Sequence, residues 1–184
     1  MEIAKEKGEA REKVWQVNSS HMASEKTEKS RLILERVVAL NEYAKAKKIF
    51  AYVSREDEAG TRELIVRMLK EGKQVFVPKI YEKEMVAVRI GSLEELKEGK
   101  FKVLQPTNAK ETSEEFDLIF IVGVGFDAKR NRIGGGFGYF DKFLVKVKGK
   151  KVALAFDWQV VDKVPTEKHD VRMDKIITDK RVIE

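Results

Sequence analysis

The chain has 184 residues, enough for one domain with a substantial core and too few for two comfortable ones. Hydrophobic residues make up 42% of it, which excludes a disordered chain, and no apolar run approaches the roughly 18 to 20 residues of a membrane-spanning helix. Cysteine is absent, excluding disulfides, thiolate metal sites and cysteine nucleophiles, and the formal charge of +6 is a small surplus on a chain that is 37% charged.

The charged start, Met1-Glu-Ile-Ala-Lys-Glu-Lys7, lacks the apolar stretch of a secretory signal, and with the absent cysteine this fits a cytoplasmic protein. Lysines and glutamates alternate through most of the chain, so the surface mixes both signs. No basic stripe with interleaved aromatics favours nucleic acid. An anionic small substrate uses the same surplus of charge.

Helix-like and strand-like segments alternate, which predicts a single α/β domain over 1–184 with a mostly parallel central sheet and helices on both faces. Residues 3–17 read as a charged helix. Residues 24–46 read as a second, with Ser24 as N-cap and Ile33, Val37, Leu40 and Ala44 on one face. Lys48–Ser54 is strand-like. Thr61–Glu71 has helical spacing, burying Leu64, Ile65, Met68 and Leu69, with Gly72 as its stop. Strands follow at Gln74–Pro78 and Met85–Ile90, then a short helix at Ser92–Lys97. Residues 99–115 are polar, contain Pro106, and read as a loop with little sheet content. Leu118–Phe126 is the most apolar strand and belongs at the sheet centre. Tyr139–Val147 is amphipathic, with Phe140, Phe143, Leu144 and Val147 inward. Strands at Val152–Phe156 and Lys175–Thr178 finish the sheet.

The chemistry-bearing stretch runs from Gly123 to Leu144. A central strand is expected to end at Asp127, a basic turn (Lys129, Arg130, Arg132) follows, and four glycines then fall within five positions before a helix. Glycine allows close backbone approach and positive φ, and a helix start offers unpaired N–H groups with a partial positive charge. Together these suit phosphate oxygens. Arg132 adds a candidate bidentate clamp. Asp141, in the first helical turn, is placed to hold Mg²⁺ beside the phosphates. On the residues alone, a mobile glycine loop and a dipole-stabilising Asp141 remain the plainer alternatives. Neither the Walker spacing nor the third glycine of a dinucleotide fingerprint is present, since position 139 is tyrosine.

The run Arg132-Ile-Gly-Gly-Gly-Phe-Gly-Tyr-Phe-Asp141, preceded by Gly-Phe-Asp127, resembles the signature of the 5-formyltetrahydrofolate cyclo-ligase family. Other patches agree in order: Lys7 with Arg11, Asp57-Glu58 before Thr61, Val75–Pro78, Ala153–Phe156 with Gln159, Val164-Pro165, and His169-Asp170. Phe140 and Lys142 replace the usual residues around Asp141, and Gly135 stands where many members carry a larger side chain.

The resemblance implies an ATP- and Mg²⁺-dependent closure of 5-formyltetrahydrofolate to 5,10-methenyltetrahydrofolate, releasing ADP and phosphate, by a monomer with no nucleic-acid or membrane partner. It places ATP at Lys7, Arg11, Arg132, Ile133, Gly134, Gly135, Gly136, Phe137, Gly138, Tyr139 and Phe140, with Arg132 catalytic. It places the reduced folate at Val53, Glu58 and the loop Gly135 to Tyr139, and magnesium at Asp141 and Asp170. Each has a plainer reading: Glu58 precedes a helix start that favours acids, Lys7 and Arg11 decorate a solvent face, and His169-Asp170 is a loop pair. His21 reads as a surface residue. Two other classes stay open: a different ATP-dependent kinase or ligase on a similar scaffold, and a basic nucleotide- or RNA-binding module whose affinity would fall steeply with salt.

Overall fold

A computed structural model describes residues 2–82, 84–108 and 111–184. The N-terminal half carries α1 (Glu2–Ser20), α2 (Ala23–Val38), α3 (Asn41–Lys45), β1 (Lys48–Ala51), α4 (Arg62–Lys70), β2 (Gln74–Ile80) and β3 (Met85–Ile90). Short strands β4 (Leu96–Glu98), β5 (Leu104–Pro106) and β6 (Thr112–Ser113) precede β7 (Glu115–Ile121), β8 (Gly125–Asp127) and β9 (Arg132–Ile133). Then come α5 (Tyr139–Lys146), β10 (Lys148–Leu154), β11 (Val160–Val161), β12 (Lys175–Ile177) and β13 (Val182–Ile183).

The main sheet has the order β13-β12-β10-β7-β1-β2-β3-β6. Strands β12, β10, β7, β1 and β2 are parallel, while β13, β3 and β6 add antiparallel edges. Period-two alternation sends neighbouring residues to opposite faces. Ile49, Ala51, Val75, Leu118 and Phe120 pack with the inner sides of α2, α3 and α4. Phe50, Phe76, Ile119, Ile121 and Ala153 pack with Phe143, Leu144 and Val147 of and beside α5. The result is the doubly covered, mostly parallel α/β sheet that the alternation predicts.

The structure corrects four local expectations. The predicted helix 24–46 breaks at Leu40, whose backbone is extended; α3 restarts beyond it and turns Tyr43 inward, leaving Ala44 exposed. Tyr43 OH donates to Glu71 (2.8 Å), and Lys73 Nζ lies 4.7 Å from its ring. Ser24 is not the cap: Met22 occupies that position, without a side-chain cap bond. The central strand ends at Ile121, because the carbonyls of Gly123 and Val124 accept from Gln159 Nε2 (3.1 and 3.0 Å) instead of a sheet neighbour. A Cβ at Gly123 would meet the Phe126 ring at 2.6 Å, so glycine permits this bend. Gly125–Asp127 then joins a separate sheet of order β11-β8-β9. Finally, residues 96–106 form a hairpin and Thr112–Ser113 pairs with β3, where a short helix to Lys97 and then a loop over 99–115 with little sheet content are expected.

Ion pairs tie α3 to the far half of the sheet. The Glu42 carboxylate accepts from Lys150 Nζ (2.5 Å) and Lys175 Nζ (3.1 Å), and Lys175 also pairs with Glu184 (2.6 Å). The Lys150 hydrogen bond is the main reason that Glu42 titrates at about 2 instead of 4.5. A depressed folded-state value means stability that is present above pH 4.5 and lost as pH falls toward 2. The side chain is a third open to solvent, so screening trims the effect. Glu42→Gln is therefore expected to lower the melting temperature at pH 7 by about 2–4 °C. The gap from the parent protein should close on acidification, and a constant gap in pH-dependent melting curves would reject the ion pair as its cause.

Candidate active site

The chain runs from β1 toward β2 on one side of the sheet and from β7 toward β10 and β12 on the other, so its direction switches between β1 and β7. The carboxyl ends of parallel strands at such a switch form a crevice suited to ligands. Here the segment after β1 (Arg55–Glu58) and the segment after β7 (Val122–Val124) line one cavity of about 670 Å³. Helix α1 supplies another wall through Lys7, Arg11, Trp15 and Asn18, which share one helical face.

The glycine run lines this cavity. Gly136 (φ 94°) and Gly138 (φ 70°) adopt left-handed backbone that a side chain would strain, and Gly138 is the N-cap of α5. Among the described residues, no amide of residues 134–138 donates to a protein acceptor. These donors line the cavity at the positive end of α5. Arg11 Nε donates to the Gly134 carbonyl (2.7 Å), which docks α1 on the loop. A Cβ at Gly136 would sit 3.6 Å from the Arg11 guanidinium.

Arg132 is buried and pairs with Asp141, and its Nη1 donates to the Val122 carbonyl (3.3 Å). Its Nε is buried without a partner among the described residues. The guanidinium also lies 5.8 Å from the Phe140 ring. This geometry departs from an open, two-pronged phosphate clamp: both Nη atoms are engaged inside the protein, and one of them fixes Asp141 at the cavity wall. Ile133 is buried beneath the loop and lines the same cavity.

Lys7 lines the same cavity. Its Nζ donates to Asp170 (2.6 Å) and Glu167 (2.9 Å), and the Glu167 amide donates to Asp170 (2.7 Å). Burial alone would lower Lys7 and raise Asp170, but the bonds between them outweigh it and move both the other way. Asp170 is therefore ionised at neutral pH. Glu167 and His169 bring ligand atoms within 4.8 Å of it and of each other. Asp141 is outside that group, held by Arg132. Ionised oxygen donors on one cavity suit a small hard cation such as Mg²⁺. Asp127, another carboxylate of the glycine stretch, is committed to structure. It accepts from the amides of Lys129, Asn131 and Val164 and from Asn131 Nδ2, at 2.9–3.0 Å.

At the other end, the 54–61 turn presents Glu58. Thr61 Oγ1 donates to the Tyr52 carbonyl (2.6 Å) and accepts from the Ser54 amide (3.0 Å), and Tyr52 OH donates to Ala59 (2.6 Å), so the turn is pinned from beneath. Burial raises the Glu58 carboxyl, against the amide and guanidinium of Arg55 that favour its charge. Asn18 Nδ2 donates to the Asp57 carbonyl (2.9 Å), joining α1 to this turn. Val53, by contrast, is a core residue among α4 neighbours and does not line the cavity.

Several cavity residues escaped the sequence reading. Phe101 arrives on the β4–β5 hairpin with φ 59°, its ring 4.5 Å from Phe137 and 5.7 Å from Tyr139. Trp15, Asn18 and Glu167 also line it. Only the Phe101 segment carried a local cue, an aromatic in a polar loop. His21, expected on the surface, stacks on Trp158 at 3.6 Å.

In sequence and fold the chain is similar to known proteins. A family model described as the 5-formyltetrahydrofolate cyclo-ligase family matches residues 3–179. The 5-formyltetrahydrofolate cyclo-ligase of Mus musculus is 33% identical over 171 residues, covering 84% of this chain and 84% of its own. Among solved structures, the 5,10-methenyltetrahydrofolate synthetase of Aquifex aeolicus is similar at TM-score 0.86 and 31% identity, covering 96% of this chain and 91% of that one. The Mycoplasma pneumoniae synthetase, at 23% identity and TM-score 0.75 over 94% of this chain and 98% of its own, shares the fold.

Proposed function

The chain belongs to the 5-formyltetrahydrofolate cyclo-ligase family, and we propose that its cavity holds ATP and 5-formyltetrahydrofolate end to end between α1 and the glycine loop. It is an ATP-dependent ligase forming 5,10-methenyltetrahydrofolate. The observation that carries the placement is the set of uncommitted amides at 134–138, opening on the same cavity as Lys7 and Arg11.

The formyl oxygen on N5 is a poor leaving group, so attack by N10 on the formyl carbon stalls in water. In the proposed route that oxygen attacks the γ-phosphorus and the bond to ADP breaks. N10 then bonds to the activated carbon, loses its proton, and phosphate leaves with the former formyl oxygen. Such transfer needs alignment and charge neutralisation more than covalent help. The loop amides take phosphate oxygens, with Arg11 and Lys7 as further cations. Arg132 acts through Asp141, which it orients. Asp170 and Asp141 are the residues that would hold Mg²⁺, whose charge offsets that of the triphosphate. Glu58 uses the lone pairs left free by Arg55 to accept from the pterin N–H groups, while Phe101, Phe137 and Tyr139 supply apolar wall. A chain without cysteine suits the reducing cytoplasm.

Near-ultraviolet absorbance tests this directly, because the methenyl product absorbs there and the substrate does not. Product is expected from 5-formyltetrahydrofolate and Mg²⁺ only when ATP is added. No product with ATP, or equal product without it, would overturn the reading.

A further inference from the structure

We propose that Trp15 is a substrate-specificity residue whose indole is the platform for the flat ring of the folate's pterin. The inference rests on the cyclo-ligase reading above. Trp15 is 47% exposed and is one of the residues that line the cavity. Scattered exposed aromatics are ordinary on protein surfaces, so its position has to carry the argument.

That position is set by α1. Arg11 precedes Trp15 by four residues, about 6 Å along the axis, and Asn18 follows by three, about 4.5 Å. Arg11 is bonded to the glycine loop and Asn18 to the turn that bears Glu58. Trp15 therefore lies between the phosphate end of the cavity and the carboxylate that takes the pterin edge. In ATP the base lies beyond the α-phosphate, away from the γ-phosphoryl and the formyl oxygen. A residue on the folate side of Arg11 meets the folate.

The two tryptophans of the chain also differ in their commitments. Trp158 is stacked between His21 (3.6 Å) and Phe156 (4.6 Å), and its Nε1 donates to Asn18 (3.1 Å). Among the described residues, Trp15 stacks on no ring and its Nε1 has no acceptor. A large flat face left free inside a substrate cavity is suited to ring stacking, which is sequence-blind but shape-selective.

Trp15→Leu and Trp15→Phe test this in the full chain with steady-state kinetics and indole fluorescence. Trp15→Leu is expected to raise KM for 5-formyltetrahydrofolate roughly tenfold, with KM for ATP within about twofold, and Trp15→Phe to restore most of the loss. Without ATP, 5-formyltetrahydrofolate should quench the parent protein's emission saturably, and Trp15→Phe should lose that component while Trp158 still emits. A rise confined to KM for ATP, or quenching by an ATP analogue alone, would move Trp15 to the nucleobase and overturn the proposal. Unchanged kinetics in Trp15→Leu would overturn it as well. If Trp15→Leu fails to fold, the quenching comparison with Trp15→Phe still decides. Absence of methenyl product from the parent protein would instead strike the cyclo-ligase reading, an outcome visible before any variant is made.

Discussion

Arg132→Ala is expected to lose both activity and stability, and this pairing of losses separates a buried positioning residue from an open phosphate clamp. A clamp in solvent would be lost at little structural cost. The side chain here is only 2% exposed and is paired with Asp141 and the Val122 carbonyl. Removing it leaves a carboxylate without its cation and an unfilled space beneath the glycine loop. Breaking a buried pair costs about 3–5 kcal/mol, and because Asp141 keeps 30% exposure we expect about 2–3 kcal/mol in denaturant unfolding. The rate with saturating ATP should fall on the order of 10²-fold, the scale of losing one preorganised electrostatic group. Arg132→Lys keeps the charge but not the planar fork, so it should recover part of the stability and little of the rate. Asp141→Asn combined with Arg132→Ala should cost less than the sum of the two, since both break one contact. A fully active, fully stable Arg132→Ala protein would remove Arg132 from the site.

The distinction between clamp and positioning residue marks the point at which the sequence stops being readable. Helices α4 and α5 were visible because their burial is periodic, with Leu64, Ile65 and Met68 on one and Phe143 and Leu144 on the other, and the parallel strands because they are short, nearly continuous apolar runs. The glycine run was visible because its parts are contiguous. What was hidden depends on contacts between distant segments. The β4–β5 hairpin is largely polar and held in part by the Gln105 side chain, which accepts from the Ile80 amide (2.8 Å); no alternation announces it. The bend after Ile121 depends on Gln159, 35 or more residues away. The structural commitment of Asp127 shows only in its four hydrogen bonds within the protein. Lys7 and Arg11 show the reverse case. A Lys-x-x-x-Arg pair on a charged helix says little by itself, and only the crossing of α1 over the cavity gives these cations partners at Asp170 and Gly134.

Asp170→Asn should separate metal binding from folding more sharply than any other change. The substitution keeps the shape and removes the charge that Lys7 and the Glu167 amide hold ionised. The folded carboxyl is depressed, so the stability it lends is present above its ordinary value of 3.8 and lost only as pH falls below it. At pH 7 the variant therefore forfeits a paired, partly buried charge, for which about 1 kcal/mol is expected in unfolding experiments. Activity should suffer far more. The magnesium concentration for half-maximal rate should rise at least about tenfold, the scale of disturbing a cation's immediate surroundings. Asp127→Asn supplies the opposite pattern: its carboxylate is buried and spent on loop amides, so it should destabilise the protein while leaving the magnesium midpoint of the folded fraction unchanged. Should both variants titrate with magnesium as the parent does, Asp170 is only a tether for Lys7, and the cation must sit on Asp141 or on the triphosphate alone.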